Sequence, residues 1–122
     1  MELIVVMIII GTMAMLTVPR YQMVIERARS SEAIQILTVL HHAQKRYAIE
    51  NNGTYTDDVD DLDVAIPSSA YFDTLDVDTD GSASIARKAG AGYSYSFSLD
   101  VDGVITCTDA GLGDDTCSKL GY

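Results

Sequence analysis

Positive charge is scarce in this chain. Lys and Arg number 8 against 18 Asp and Glu, a formal net charge of −10 at pH 7. The deficit is local: residues 51–122 hold 14 of the acids and only Arg87, Lys88 and Lys119 as bases. Residues 20–50 are mildly basic, with Arg20, Arg27, Arg29, Lys45 and Arg46 against Glu26, Glu32 and Glu50. An acidic domain repels phosphates and no local basic patch offsets it, so nucleic acid binding is not expected. Solubility and mutual repulsion are the plain use of such charge. Other absences narrow the field further. There is no Gly-rich phosphate loop, and no nucleophile, base and orienting group stand together, so no enzyme and no cofactor are expected. His41 and His42 are neighbours on a predicted helix, roughly 100° apart around its axis, and do not chelate one ion.

Cysteine is limited to Cys107 and Cys117. They form no C-x-x-C pair, and the nine residues between them are rich in turn formers. A disulfide closing this loop fits an oxidising compartment. A metal pair is disfavoured because no His lies nearby, and two buried free thiols remain the alternative.

What the chain does have is an apolar N-terminus. Leu3 to Val18 contains no charged residue; Glu2 precedes it and Pro19 closes it. As a helix this run spans about 24 Å, slightly short of a bilayer core. A cleaved secretory signal would show a basic n-region and a small-residue cleavage site, and neither is evident. Only Gly11, Thr12 and Thr17 interrupt the apolar surface, which points to lipid or protein on every side. Glu2 is costly within such surroundings. Either it is tolerated at a membrane interface, or it pairs with a cation on another copy, for which a free N-terminal amine is suitable. The second arrangement would set axial register between subunits. Gly11 and Pro19 are both poor in a helix interior and mark the stretch between them as its weakest part. That stretch is read either as a simple kink at Pro19 or as a segment able to melt on assembly.

The string M-E-L-I-V-V-M-I-I-I-G-T-M-A-M-L-T-V-P-R-Y-Q resembles the N-terminal signature of type IV pilins and their pseudopilin relatives. Glu2, Gly11 and Pro19 fall at the family's mutual spacing, and Tyr21-Gln22 follows the proline as it often does there. The resemblance covers residues 1 to about 50 well and the remainder only in general layout. It implies a leader removed by a dedicated peptidase, methylation of the new N-terminus, and an ATPase-driven assembly machinery. It also implies that about three residues precede Met1, because the family's acid usually lies four residues after the processing point.

Residues 20–50 read as an amphipathic helix whose apolar positions include Ile25, Ala28, Ala33, Leu37, Leu40, Ala43 and Tyr47. With the first segment this makes one helix of about 50 residues, ended by Asn51-Asn52-Gly53. Residues 51–81 are expected to be an irregular connecting loop. Strands are expected at 84–88, at Tyr93–Leu99 with Tyr93, Tyr95, Phe97 and Leu99 on one face, and at 104–108 after an Asp102-Gly103 turn. The fold class is therefore α+β, a long N-terminal helix packed on a C-terminal antiparallel sheet. It divides into a hydrophobic transmembrane or filament-core segment, 1–19, and a globular domain, 20–122. In that domain a β-meander and a disulfide-closed C-terminal loop occupy 82–122.

Asp76, Asp78, Asp80 and Gly81 match the first half of an EF-hand loop, but its twelfth position is Arg87, which cannot coordinate. Calcium completed from elsewhere and a solvated acidic turn both stay open. Asn52-Gly53-Thr54 is an N-glycosylation sequon. The expected function is a homo-oligomeric helical filament at the cell surface, for adhesion, motility or related roles. Its subunits would wait in the cytoplasmic membrane before assembly. A pseudopilin of a secretion or DNA-uptake system and a monomeric membrane-anchored binding domain are the alternatives.

Overall fold

The computed structural model describes residues 1–73, 75–90, 92–111 and 115–122, excluding the Pro19 side chain. Helix α1 runs unbroken over Glu2–Glu50. It ends as its sequence suggests, with Asn52 at φ 56° and Gly53 at φ 85°, and with the Asn51 amide side chain donating to the Tyr47 carbonyl at 3.0 Å. A short 3-10 turn, Val59–Asp61, follows. Four strands then form one antiparallel meander in the order β1 (Asp76–Val77), β2 (Ala83–Ala86), β3 (Tyr95–Leu99) and β4 (Ile105–Asp109). A final single-turn helix, α2, covers Thr116–Leu120. The architecture is α+β, one long helix against a four-stranded sheet.

Periodicity explains the packing. Ala33, Leu37, Leu40 and Ala43 recur at steps of three and four and are fully buried against the sheet. Alternation in β3 sends Tyr95, Phe97 and Leu99 to the same core, and Ala83 and Ile85 of β2 join them. Tyr95 pairs with Asp109 and Leu99 with Ile105, which fixes the β3–β4 register. Two expectations for the helix stripe need correcting: Ile25 is only half-buried, and Ala28 is exposed. Glu26 and Ser30 are buried in their place: Glu26 meets Arg87 and the Tyr95 hydroxyl at the facing end of the sheet, and the Ser30 hydroxyl is satisfied by donating to the Arg27 carbonyl at 2.8 Å.

Strand ends also shift. β2 begins one residue earlier than expected and stops at Ala86, leaving Arg87 in an isolated bridge to Phe72. Tyr93 precedes β3 and is half-buried. The connecting segment is less irregular than expected, since it contains β1.

The hairpin between β3 and β4 turns at 100–104, where the Gly103 amide donates to the Asp100 carbonyl. Gly103 sits at φ 90°, and a Cβ there would lie 3.0 Å from His41 Nε2. This turn thus rests on α1 near residue 41 and accepts only glycine without strain.

Cys107 and Cys117 are bonded to each other, with Cα atoms 5.8 Å apart. The bridge ties α2 to β4, and the Asp109 carboxylate accepts the Cys117 amide beside it at 2.9 Å. A Cys107→Ser, Cys117→Ser chain is expected to lose about 2–3 kcal/mol of stability, from the loop constraint that the bridge places on the unfolded chain. Urea titration of oxidised and doubly substituted chains in the same detergent checks this.

Candidate assembly surface and its anchor

Every residue of α1 from Glu2 to Val18 is exposed, and the helix first packs on the core at Met23. Twelve large apolar side chains between Leu3 and Val18 are exposed, from Ile9 at 49% to Leu3 and Met15 at 81%. At about 1.5–3 kcal/mol each, their transfer out of water is worth on the order of 20–35 kcal/mol. A whole domain is stable by only about 5–15 kcal/mol, so covering this surface with lipid or protein would be a large favourable term beside it. The helix is long and apolar enough to cross a membrane, and none of its most apolar window is buried within the chain.

Its polar atoms suit an apolar setting. The Thr12 hydroxyl donates to the Ile9 carbonyl at 2.9 Å, and that of Thr17 to the Ala14 carbonyl at 3.1 Å. Both hydroxyls are thereby satisfied inside the helix and need no water. Glu2 lies in the first turn, where the helix dipole favours an anion. A Cβ at Gly11 would meet no atom within 4 Å, so nothing inside the chain requires glycine there. Alanine would strengthen an isolated helix by about 1 kcal/mol at that position. Helix α1 includes position 19, but the Pro19 side chain is outside the described residues.

Where the exposed arm enters the domain, Glu26 makes a buried anchor. Its carboxylate accepts from Arg87 Nε at 2.5 Å, from Arg87 Nη2 at 3.3 Å and from the Tyr95 hydroxyl at 2.8 Å. Arg29 approaches from one turn along at 3.4 Å and stacks its guanidinium 4.2 Å from the Tyr71 ring centroid. Arg87 completes its bonding by donating Nη1 to the Tyr71 carbonyl at 2.7 Å. Burial by itself would push the Glu26 carboxyl up. The hydrogen bonds from Arg87 and Tyr95, with the Arg87 charge, outweigh it and hold Glu26 below the ordinary glutamate range. Burial and the carboxylate together push the Tyr95 phenol well above its usual value, so it stays a neutral donor.

This anchor was missed in the sequence, although a signal exists. Glu26 lies one heptad before Ala33, in phase with the buried stripe, where a charged residue needs a buried partner. The partner could not be identified, because Arg87 is 61 residues away along the chain.

The remaining candidates fall apart from one another. Asp78 and Asp80 cap their own turn: Asp78 accepts the Thr79 amide and Asp80 the Ser82 amide. Asp76 lies on β1. Among the described residues no three His, Cys, Asp or Glu side chains converge to hold a metal ion. Asn52 is exposed at the end of α1. His41 packs under Gly103, and burial, ahead of the Lys45 and His42 charges, lowers its pKa. No family model, no curated protein and no solved structure matches the chain.

Proposed function

We propose that this chain is the structural subunit of a type IV pilus-like filament. The observation that carries the reading is the pairing of an exposed apolar helical arm, Leu3–Val18, with a folded domain that α1 enters between Met23 and Glu26. A membrane anchor alone needs the apolar length. It does not need the acid at Glu2, the sterically unexplained Gly11, or the proline of the N-terminal signature. A polymer uses all three. Before assembly the arm sits in the cytoplasmic membrane with the disulfide-bonded domain on the oxidising side. On assembly, neighbouring arms replace lipid around residues 1–19, and the Glu2 carboxylate pairs with the N-terminal amine of an adjacent subunit. Contacts of this head-to-tail kind do not close on themselves and so build a helix. The acidic domains face outward, where adhesion or motility would be exerted.

Single cysteines introduced along positions 3–18 test this in cells. Under mild oxidation, the filament arrangement gives covalent dimers at positions on contacting helix faces, with a yield that repeats every three to four residues. A monomeric anchor gives no such periodicity, and dimers no more abundant than those of an unrelated single-span protein at the same level would sink the proposal.

A further inference from the structure

The contacts along α1 sort the domain's charge by height. At helix positions 26–29 the helix meets Arg87, Tyr95, Tyr71 and α2. At positions 41–46 it meets Gly103, Thr56 and Asp63. Tyr55 in turn covers Gly81, so the 78–82 turn lies at this far end too. The far end therefore gathers the loop 57–63, the turn 78–82 and the hairpin 100–104, all rich in Asp. Asp57, Asp60 and Asp102 are exposed there; of the bases at this level Arg46 is tied to Asp63, and Lys45 is exposed beside His41, outnumbered by the acids.

The near end is the opposite. Among the described residues there, Glu26 is held by Arg87, Asp109 by the Cys117 amide and Asp115 by Lys119, while Asp73 is exposed without such a bond. On the helix itself Arg20 and Arg27 are exposed. Arg27 gives one nitrogen to the Lys119 carbonyl, and Arg20 has no ion-pair partner among the described residues. Arg20 is also the one charge between Glu2 and Glu26.

We infer that the Arg20–Arg27 collar of one subunit docks on the acidic crown of a second copy, around Asp57, Asp60 and Asp102. This deepens the filament reading and rests on it. Charge complementarity within one sequence favours a second copy over lipid headgroups as the collar's partner, since lipid would leave the crown unused. Collar and crown are separated along α1 by about 30 Å, the rise of some twenty helical residues, so neither can reach the other within a subunit. The contact would set subunit spacing at the filament surface as Glu2 sets it at the core, and like-charge collisions would penalise wrong registers.

Charge reversal and cross-linking in the native assembling cell test the inference. Arg20→Glu with Arg27→Glu, or Asp57→Lys with Asp60→Lys and Asp102→Lys, should each cut sheared-filament yield by at least about tenfold, with membrane levels of the chain unchanged. Combining both sets in one chain should restore most of the yield. Independently, Arg20→Lys keeps the charge and supplies an amine. Carbodiimide treatment of such filaments should join position 20 to Asp57, Asp60 or Asp102, and each such link must be between subunits. Filaments unaffected by either reversal, and free of that cross-link, overturn the inference and leave the filament reading intact. Loss of membrane retention on collar reversal, with crown reversal silent, assigns the collar to lipid headgroups and also overturns it. No filaments from the unaltered chain overturn both readings.

Discussion

Replacing Glu26 with alanine is expected to lower the unfolding free energy by about 3–5 kcal/mol, because it strands the Arg87 guanidinium in a buried site. Arg87 is 8% exposed and its remaining bond is to the Tyr71 carbonyl, which cannot neutralise it. The Tyr95 hydroxyl loses its acceptor in the same step. Losses of this size are a large share of a domain's net stability. Replacing both ions with apolar residues, Glu26→Leu with Arg87→Met, should recover most of the loss, since neither charge is then left unpaired. Urea unfolding of the full chain in detergent, followed by tyrosine near-ultraviolet dichroism, measures both. If the single and double replacements were equally destabilising, the ion pair would not be the reason for the loss.

The same anchor predicts a direction for acid sensitivity. Glu26 is held below its unfolded value, so its contribution is complete above the ordinary glutamate pKa of about 4.3. As pH falls through the depressed folded value, the unfolded chain has already taken up its proton, and stability is lost. The Glu26→Leu, Arg87→Met chain should lack this part of the acid dependence.

Replacing Glu2 with glutamine is expected to abolish most filament formation while leaving the chain in the membrane at its normal level. Glutamine preserves size and hydrogen bonding but removes the charge that the proposed terminal amine would meet. In an apolar core, that amine would then be buried without a counter-ion, a penalty of several kcal/mol per subunit. Multiplied along a polymer, it stops growth. Insertion should be unaffected or slightly improved, because a carboxylate is costly to lipid wherever it is not at the interface. Comparing sheared and membrane fractions by immunoblot reads both effects. Unchanged filament yield would remove the register role from Glu2.

Sequence alone carried the long helix because its two halves each have an unambiguous pattern, apolar throughout and then amphipathic. It carried β3 and its hairpin for the same reason: strict alternation through Tyr95, Phe97 and Leu99, then a glycine turn. It failed where elements are too short to have a period. The two residues of β1 and the single turn of α2 are fixed by pairing with β2 and by the disulfide, both tertiary facts. The exposed apolar arm was legible because Leu3–Val18 carry no charge and no polar face, so the segment has no side to turn to water. The Glu26 anchor was not, since a buried ion pair is defined by two positions far apart in the chain and only one was visible in the helical phase. The Asp76–Asp80 segment was open in the sequence between calcium and a solvated acidic turn. Its spacing suggests ligands, while Asp78 and Asp80 hydrogen-bond their own turn.

The most direct measurement is the composition of fibres sheared from the native cell. Negative-stain images of the sheared fraction, with intact mass and N-terminal sequence of its main subunit, report whether this chain is a polymer and where it begins. The account predicts long fibres built chiefly of this chain, with Cys107 and Cys117 two hydrogens lighter as a disulfide. Finding the chain only as a dispersed membrane protein, under conditions where it is abundant, would contradict it.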